Sequence, residues 1–300
     1  MTYSSGGLIQ ASDYNGFVSS MNGVWNTSWG QSALGVVSVT GTVTAAQWAT
    51  LAGTITNAYI HESGSNPSVA SPSAGQTIAT ITNLTTAVTY VQTNNYNSYA
   101  FGTQLGLSSS AGATGSGSGA WQLTWTQSIN FASAAQRNYY FNCGGVVFLT
   151  FSKTSTGQVN DATWNALAAA CNQISLTSTA ASKTIAGVVY QGTNKQGGSG
   201  TPSLVATGIG YAQLNGSVNQ MIFQQYYATY PYTGSYIAVY AQLAGNSVQF
   251  TTVWYQPAGA ASFKPVNISA GAVTAIYNTP PEQTYISNTW GSPSLSSAVA

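Results

Sequence analysis

Charge is what this chain lacks. Its 300 residues include five Lys and Arg, four Asp and Glu and one His, so that 3% of the side chains are Asp, Glu, Lys or Arg, where a soluble domain ordinarily carries about a quarter. The ionisable groups are Asp13, His61, Glu62, Arg137, Lys153, Asp161, Lys183, Lys195, Lys264 and Glu282. Each scarcity removes a class of chemistry. Affinity for nucleic acid depends on how many phosphates are neutralised, and four Lys and one Arg scattered over the chain form no basic patch, so nucleic acid is not expected as a partner. A Ser-His-Asp mechanism would have to use His61 with Asp13 or Asp161, and no Gly-x-Ser-x-Gly turn accompanies them. His61-Glu62 reads instead as the solvated end of a helix, where an imidazolium meets the terminal carbonyls. A glycosidase needs two carboxyl groups facing each other. Asp13 and Asp161 fall in first helical turns, where exposed N–H groups account for them, and Glu282 follows Pro280-Pro281 in a late loop. No enzymatic activity, cofactor or transition-metal site is expected. A calcium site built mainly from carbonyls stays open as an alternative, although hard cations usually take several carboxylates.

Long apolar runs are missing too. None approaches the roughly 18 residues of a spanning helix, and the opening Met1-Thr2-Tyr3-Ser4-Ser5-Gly6-Gly7 lacks the basic and apolar regions of a signal peptide. A membrane is therefore not expected as a partner, and synthesis in a cytoplasm is. Cysteine is confined to Cys143 and Cys171, too few for a disulfide framework or a thiolate zinc site, and both read as buried thiols rather than a bridge.

Apolar and aromatic side chains are abundant. With 44% apolar residues, 8 Trp, 19 Tyr and 9 Phe the chain can bury enough surface to offset the entropy of ordering, so it is expected to fold. A formal net charge of +1 gives almost no self-repulsion and favours association.

Residues 1–107 carry helical patterns. Tyr14, Phe17, Val18, Met21 and Trp25 share one helix face, with Ser12 or Asp13 as N-cap. Thr44-Ala45-Ala46-Gln47 reads as a capping box for a helix whose Trp48, Leu51, Ile55 and Tyr59 share a face and which Ser63-Gly64-Ser65-Asn66-Pro67 stops. Between about Ala74 and Val91 the Thr- and Ile-rich sequence allows helix or strand, and Gly35-Val36-Val37-Ser38-Val39 predicts a strand. Residues 108–120 form a Gly/Ser-rich linker or loop. From 121 to 300 the dominant period is two, as in Trp121–Thr126 and Gly145–Phe151. A hairpin joins Tyr236–Leu243 to Ser247–Tyr255 through Ala244-Gly245-Asn246, with further strands at Ile185–Tyr190, Gly208–Leu214 and Met221–Tyr226. One helix, capped by Asn160, interrupts them with Trp164, Leu167, Ala168, Cys171 and Ile174 on one face. The spacing from Thr40-Gly41-Thr42-Val43 to Trp48 and Leu51 recurs from Thr156-Gly157-Gln158-Val159 to Trp164 and Leu167, each time after a β-rich run, which predicts a strand–turn–helix unit used twice. The expected fold class is α+β: a helical N-terminal part followed by a mostly antiparallel β-sandwich with an inserted helix.

Two segments stand out. Phe131-Ala132-Ser133-Ala134-Ala135-Gln136-Arg137-Asn138-Tyr139-Tyr140-Phe141-Asn142-Cys143-Gly144-Gly145 puts the only arginine ahead of aromatics and a Gly pair that feeds a strand. Arg137 is expected to fork its donors onto loop carbonyls with its stem on Tyr or Phe, and Asn142, Gly144 and Gly145 belong to the same motif. Second, Tyr226, Tyr227, Tyr230, Tyr232 and Tyr236 offer flat apolar faces beside hydroxyls, as a core or subunit interface or, alternatively, a glycan contact.

The Arg137 block resembles virion structural proteins of large tailed bacteriophages, of the T4-like cyanophage type. The opening Gly7-Leu8-Ile9-Gln10-Ala11-Ser12-Asp13-Tyr14-Asn15 and the Val43 to Leu51 helix are similar to the N-terminal parts of such proteins, whereas Cys143 departs from the Ala expected there. The resemblance implies a virion component of tail, neck or collar, or fibre, made in the bacterial host cytoplasm. Its partners would be itself, with a trimer favoured, and other virion proteins. The alternative is a carbohydrate-binding adhesin that takes a host surface glycan.

Overall fold

Helix α1 (Ala11–Asn22) forms where apolar side chains recur at helical spacing, and it buries Tyr14, Phe17, Val18 and Met21. The structure, a computed structural model, describes residues 11–70, 81–110, 120–155, 157, 161–229, 232–257 and 271–299. Ser12 and Asp13 sit inside the first turn of α1 rather than at its cap, because the helix already runs at Ala11. A π-helical turn (Gly23–Ser28) follows. Helix α2 (Ala45–Ser63) opens on the expected capping box, with Thr44 Oγ1 accepting from Gln47 N and Thr44 N donating to Gln47 Oε1. It ends at Gly64, whose φ of +71° suits a left-handed closing residue. The ambiguous Thr- and Ile-rich stretch resolves as α3 (Ile81–Asn94), where Leu84, Ala87, Val88 and Val91 are buried, because packing on α1 and α2 rewards period 3.6 over the β-propensity of Thr and Ile.

The strand predicted at Gly35–Val39 does not form. Asn15 and Asn22 of α1 stand in for a partner strand. Asn15 Nδ2 donates to Val37 O at 2.7 Å while its Oδ1 accepts from Val37 N at 2.8 Å, and Asn22 does the same to Leu34 at 3.0 and 2.8 Å. The backbone is satisfied without a ladder, so Val36 and Val39 are left 70% and 89% exposed. The strand–turn–helix unit is thus not repeated. Thr156, Gln158, Val159 and the cap Asn160 lie outside the described residues, as does the 7–10 part of the opening block.

The remainder is β-rich. A five-stranded sheet has the order β1 (Leu105–Ser110), β12 (Ala272–Thr279), β3 (Val146–Lys153), β4 (Gln173–Leu176), β7 (Thr193–Gln196). A six-stranded sheet has the order β13 (Ser294–Val299), β2 (Trp121–Asn130), β11 (Ser247–Gln256), β10 (Tyr236–Ala244), β9 (Gln220–Tyr226), β8 (Leu204–Val205), and β5 (Ser182–Ile185) pairs with β6 (Val188–Gln191). Every ladder is antiparallel. The two large sheets face each other: Phe151 stacks on Phe223 at 6.5 Å and Gln127 Nε2 donates to Thr274 O at 3.3 Å. Helix α5 (Asp161–Cys171) is the inserted helix, wedged between them with Trp164 stacked 5.5 Å from Trp254 and 5.0 Å from Trp121.

One apolar core runs from Tyr14 to Trp290 through helices and both sheets. Trp29, Trp125, Trp164, Trp254 and Trp290 are fully buried in it. Burial of an aromatic removes about 150–250 Å² from water, on the order of 4–6 kcal/mol before entropy is counted. The indole N–H groups of Trp125, Trp164 and Trp254 lack partners, at about 1–3 kcal/mol each, so burial outweighs them.

Other expectations shift by local geometry. Residues 108–110, assigned to the Gly/Ser-rich linker, pair as β1 with Ala275, Thr274 and Val273, and 111–119 lie outside the described residues. Ile185–Tyr190 is not one strand but the turn of the β5–β6 hairpin, with Ala186 and Gly187 at φ of +48° and +77°, the signs a type I′ turn requires. Gly208–Leu214 is not a strand either. Tyr211–Gln213 makes a 3₁₀ turn, because Tyr211 N and Ala212 N bond the loop carbonyls of Thr177 and Ser178 at 2.7 and 2.8 Å. The β10–β11 hairpin forms, but Ala244 belongs to the strand opposite Ser247, so the loop is the two residues Gly245-Asn246 rather than the expected Ala244-Gly245-Asn246 and the register moves by one residue.

Candidate functional site

Helix α4 (Ala134–Asn142) starts where Ser133 Oγ accepts from Gln136 N at 3.1 Å, and this sets Arg137 one turn in, facing the loops. Arg137 is buried, donating from Nε to Tyr211 OH at 2.7 Å and from Nη1 to Gly245 O. Of the two loop carbonyls expected, one is therefore a tyrosine hydroxyl. The guanidinium carbon lies 5.5 Å from the Tyr211 ring centre, and that ring stacks on Phe141 at 4.2 Å. Burial pushes the Tyr211 phenol up, partly offset by the Arg137 bond, and its hydroxyl donates to Asn138 Oδ1. Asn142 Nδ2 donates to Ser28 O at 3.1 Å. A Cβ on Gly144, at φ +93°, would lie 2.7 Å from Ser98 Cβ, and one on Gly145 would lie 2.5 Å from the Tyr140 ring. Arg137, Asn142, Gly144 and Gly145 thus join helices to sheets.

The imidazole of His61 is not solvated. It is fully buried, with Nε2 3.0 Å from Cys143 O, its ring 5.1 Å from Trp29 and Nδ1 without a partner. Glu62 is buried with neither oxygen hydrogen-bonded. The reason is tertiary: the end of α2 meets the end of α4 instead of water. Burial pushes the imidazole down to about 4, against the Cys143 carbonyl and the Glu282 charge, and pushes the Glu62 carboxyl and the Cys143 thiol well up. Burial thus disfavours the charged form of all three, and the imidazole bonds the Cys143 carbonyl, not its thiol. Cys143 and Cys171 are both free thiols.

The other charges are also withdrawn. Lys153 and Asp161 form a buried pair at 2.6 Å, which gives Asp161 a partner beyond its helix N-terminus. Lys183 is buried, donating to Ser178 Oγ, Thr179 O and Thr179 Oγ1 at 3.0, 3.0 and 3.1 Å, 5.5 Å from the Tyr96 ring centre. Burial pushes its ammonium down to about 8. Ser178 Oγ thus accepts from the Lys183 ammonium beside two further acceptors on Thr179. Asp13, Lys195 and Glu282 are half-buried, and Lys264 lies outside the described residues. Among the described residues, no charged side chain is fully exposed, and no group of three or more His, Cys, Asp or Glu is placed to hold a metal ion.

What faces water instead is neutral. The outer face of the six-stranded sheet aligns Ser296, Ser128, Gln249 and Gln242 in one row and Ala298, Thr126, Thr251 and Tyr240 in the next, with Ser296 and Ala298 exposed, Ser128 buried and the rest half-buried. Gln242 Nε2 donates to Gln249 Oε1 at 2.7 Å, and Ser247 Oγ to Asn130 Oδ1 at 2.7 Å. At one end, Tyr226, Tyr236 and Tyr255 stand side by side across three strands, with ring centres 5.3 and 5.0 Å apart. The structure thus brings Tyr226 and Tyr236 together, turns Tyr227 onto the core and leaves Tyr232 half-buried beyond the strands, while Tyr230 lies outside the described residues. Tyr255 and Tyr240 were missed, because the three-residue turn expected from the sequence sets Trp254 opposite Tyr236, whereas the two-residue loop of the structure sets Tyr255 there.

Comparison with protein-family models, curated proteins and solved structures finds no match for this chain.

Proposed function

We propose that the chain is a structural subunit of a tailed-phage particle, in its tail, neck or collar, or a fibre, and that it acts by assembly rather than catalysis. The observation that carries this reading is the withdrawal of charge: ionisable side chains are buried or half-buried throughout the described residues, and the largest sheet turns a face of Ser, Thr, Gln and Tyr to water. Such a face suits a second copy of the same chain. Like surfaces without charge do not repel, paired amides and hydroxyls satisfy each other across a two-fold or three-fold contact, and neutral contacts are not screened by salt as exposed ion pairs are. The placement within a virion rests on the resemblance of the Arg137 block.

The full chain should sediment as a homo-oligomer, a trimer being favoured, at micromolar concentration. It should persist from low salt to about 1 M, where the Debye length is roughly 3 Å. Thr126→Lys or Gln249→Lys sets a charge in the middle of the face and should dissociate it. A clean monomer, or an oligomer that falls apart in salt, would overturn assembly through neutral contacts. Gold-labelled antibody that fails to decorate intact particles would overturn the virion placement.

A further inference from the structure

The π-helical turn Gly23–Ser28 follows directly on α1. Its wide turn, closed by Trp29 N bonding Val24 O at 2.9 Å, buries Trp29 and leaves Trp25 half-buried, the rings 6.0 Å apart. Such turns recur at functional sites. Opposite Trp25, residues 282–289 carry no regular structure beyond bends and are nonetheless fastened down. Gln31, which is buried, pairs its amide with the backbone of Ser287, Nε2 donating to the carbonyl at 2.8 Å and Oε1 accepting from N–H at 3.1 Å. Thr289 Oγ1 donates to Trp29 O at 2.5 Å, Glu282 accepts from Thr284 N at 2.5 Å, and Tyr285 packs 6.0 Å from Tyr99.

Between the two lies an open cleft of about 530 Å³, whose lining includes Trp25, Asn57, Gln283, Tyr285, Ser287 and Asn288. That is in the range of small-molecule sites, roughly 300–1,000 Å³. We infer that this cleft binds a short neutral oligosaccharide. Trp25 and Tyr285 offer flat apolar faces of the kind on which the C–H face of a sugar ring stacks. Asn57 and Gln283 are exposed, and their amides have no hydrogen-bond partner among the described residues. Each amide presents both a donor and an acceptor, which is what a row of hydroxyls requires. No lining residue carries charge, and the neighbouring Glu282 is acidic, so an anionic ligand would find no counter-charge. The loop is held before any ligand arrives, which lowers the ordering cost of binding. The row of Tyr226, Tyr236 and Tyr255 differs in that its neighbouring glutamines are tied together.

The inference does not depend on the assembly reading. The full-length protein would be titrated with maltohexaose, cellohexaose, chitohexaose and mannohexaose, followed by tryptophan fluorescence and calorimetry, with a heparin hexasaccharide as the anionic comparison. At least one neutral sugar should bind saturably. Asn57→Ala and Gln283→Ala, both at exposed positions, should weaken it about tenfold or more with melting unchanged, and Trp25→Ala should abolish it. Tyr226→Ala, on the sheet face, should leave it intact. Absence of binding to all four neutral sugars, stronger binding of the heparin fragment, or binding that survives Gln283→Ala and is lost in Tyr226→Ala would each overturn the site.

Discussion

His61 Nε2 lies 3.0 Å from Cys143 O, so the last turn of α2 is fastened to the C-terminal end of α4 through an uncharged, fully buried contact. The neighbouring Glu62 is buried with no partner for either oxygen. Two ionisable groups in a chain with so few are thus withdrawn from water where α2 meets the end of α4.

Stability should respond to pH through both, with opposite signs. His61 has a folded pKa of about 4 against 6.5 when free, so between these values the unfolded chain binds more protons. Its contribution is complete above pH 6.5 and lost as pH falls towards 4, about 3 kcal/mol in all. Glu62 is raised from 4.5, so its contribution is present below pH 4.5 and lost as pH rises above that value. The two oppose each other as pH rises from 4.5, and the gain from His61 ends at 6.5. Denaturant melts from pH 4 to 8 should show a steeper gain of stability with pH in Glu62→Gln than in the wild type, because the opposing group is gone.

Arg137→Ala should destabilise by about 1–3 kcal/mol, because it strips the donors from Gly245 O and Tyr211 OH in a buried setting. Arg137→Lys should recover only part of this, since an ammonium lacks the planar fork. A melt of Arg137→Ala matching the wild type would remove the structural role.

Asp161→Asn should cost about 3–5 kcal/mol, as it removes the carboxylate charge that lies 2.6 Å from the buried Lys153 ammonium. Replacing both with Met and Leu should be far closer to neutral, because burying the pair already carries a desolvation cost. Comparing chemical denaturation of the single and double variants measures the difference.

Gly144→Ala should destabilise by about 1–3 kcal/mol, from a φ of +93° and the 2.7 Å approach to Ser98. Gly53→Ala is the control. It lies within α2 with nothing within 4 Å of the added methyl, and should stabilise by about 0.5–1 kcal/mol. Equal melting temperatures for the two variants would contradict the geometry at Gly144.

The errors in reading the sequence have one physical origin. Gly35–Val39 and Gly208–Leu214 both show the apolar run of a strand, but a strand exists only if another supplies its ladder. The first is satisfied by Asn15 and Asn22 of α1, and the second is bent by bonds to Thr177 and Ser178. In the reverse sense, Ser108–Ser110 looks like linker and becomes strand because β12 offers it an edge. Arg137 could be singled out in the sequence, but its partner Tyr211 could not, since the fold brings the two together across 74 residues.

The sequence by itself determined what depends on spacing within one element. That includes the buried faces of α1 and α2, the Thr44 capping box, the Gly64 stop, the pairing of β10 with β11, though with a loop one residue shorter than expected, and the shortage of charge. Caps, turns and amphipathic faces need only neighbours a few residues away. Tertiary structure alone decided where the few charges go and what faces them. It buried His61 and Glu62 at a helix end that reads as solvated, and it set the Tyr226–Tyr236–Tyr255 row across three strands. It also built the cleft beside Trp25, where Gln31 fixes Ser287 from 256 residues away. Contacts at that range follow from which surfaces bury one another, and no local pattern encodes them.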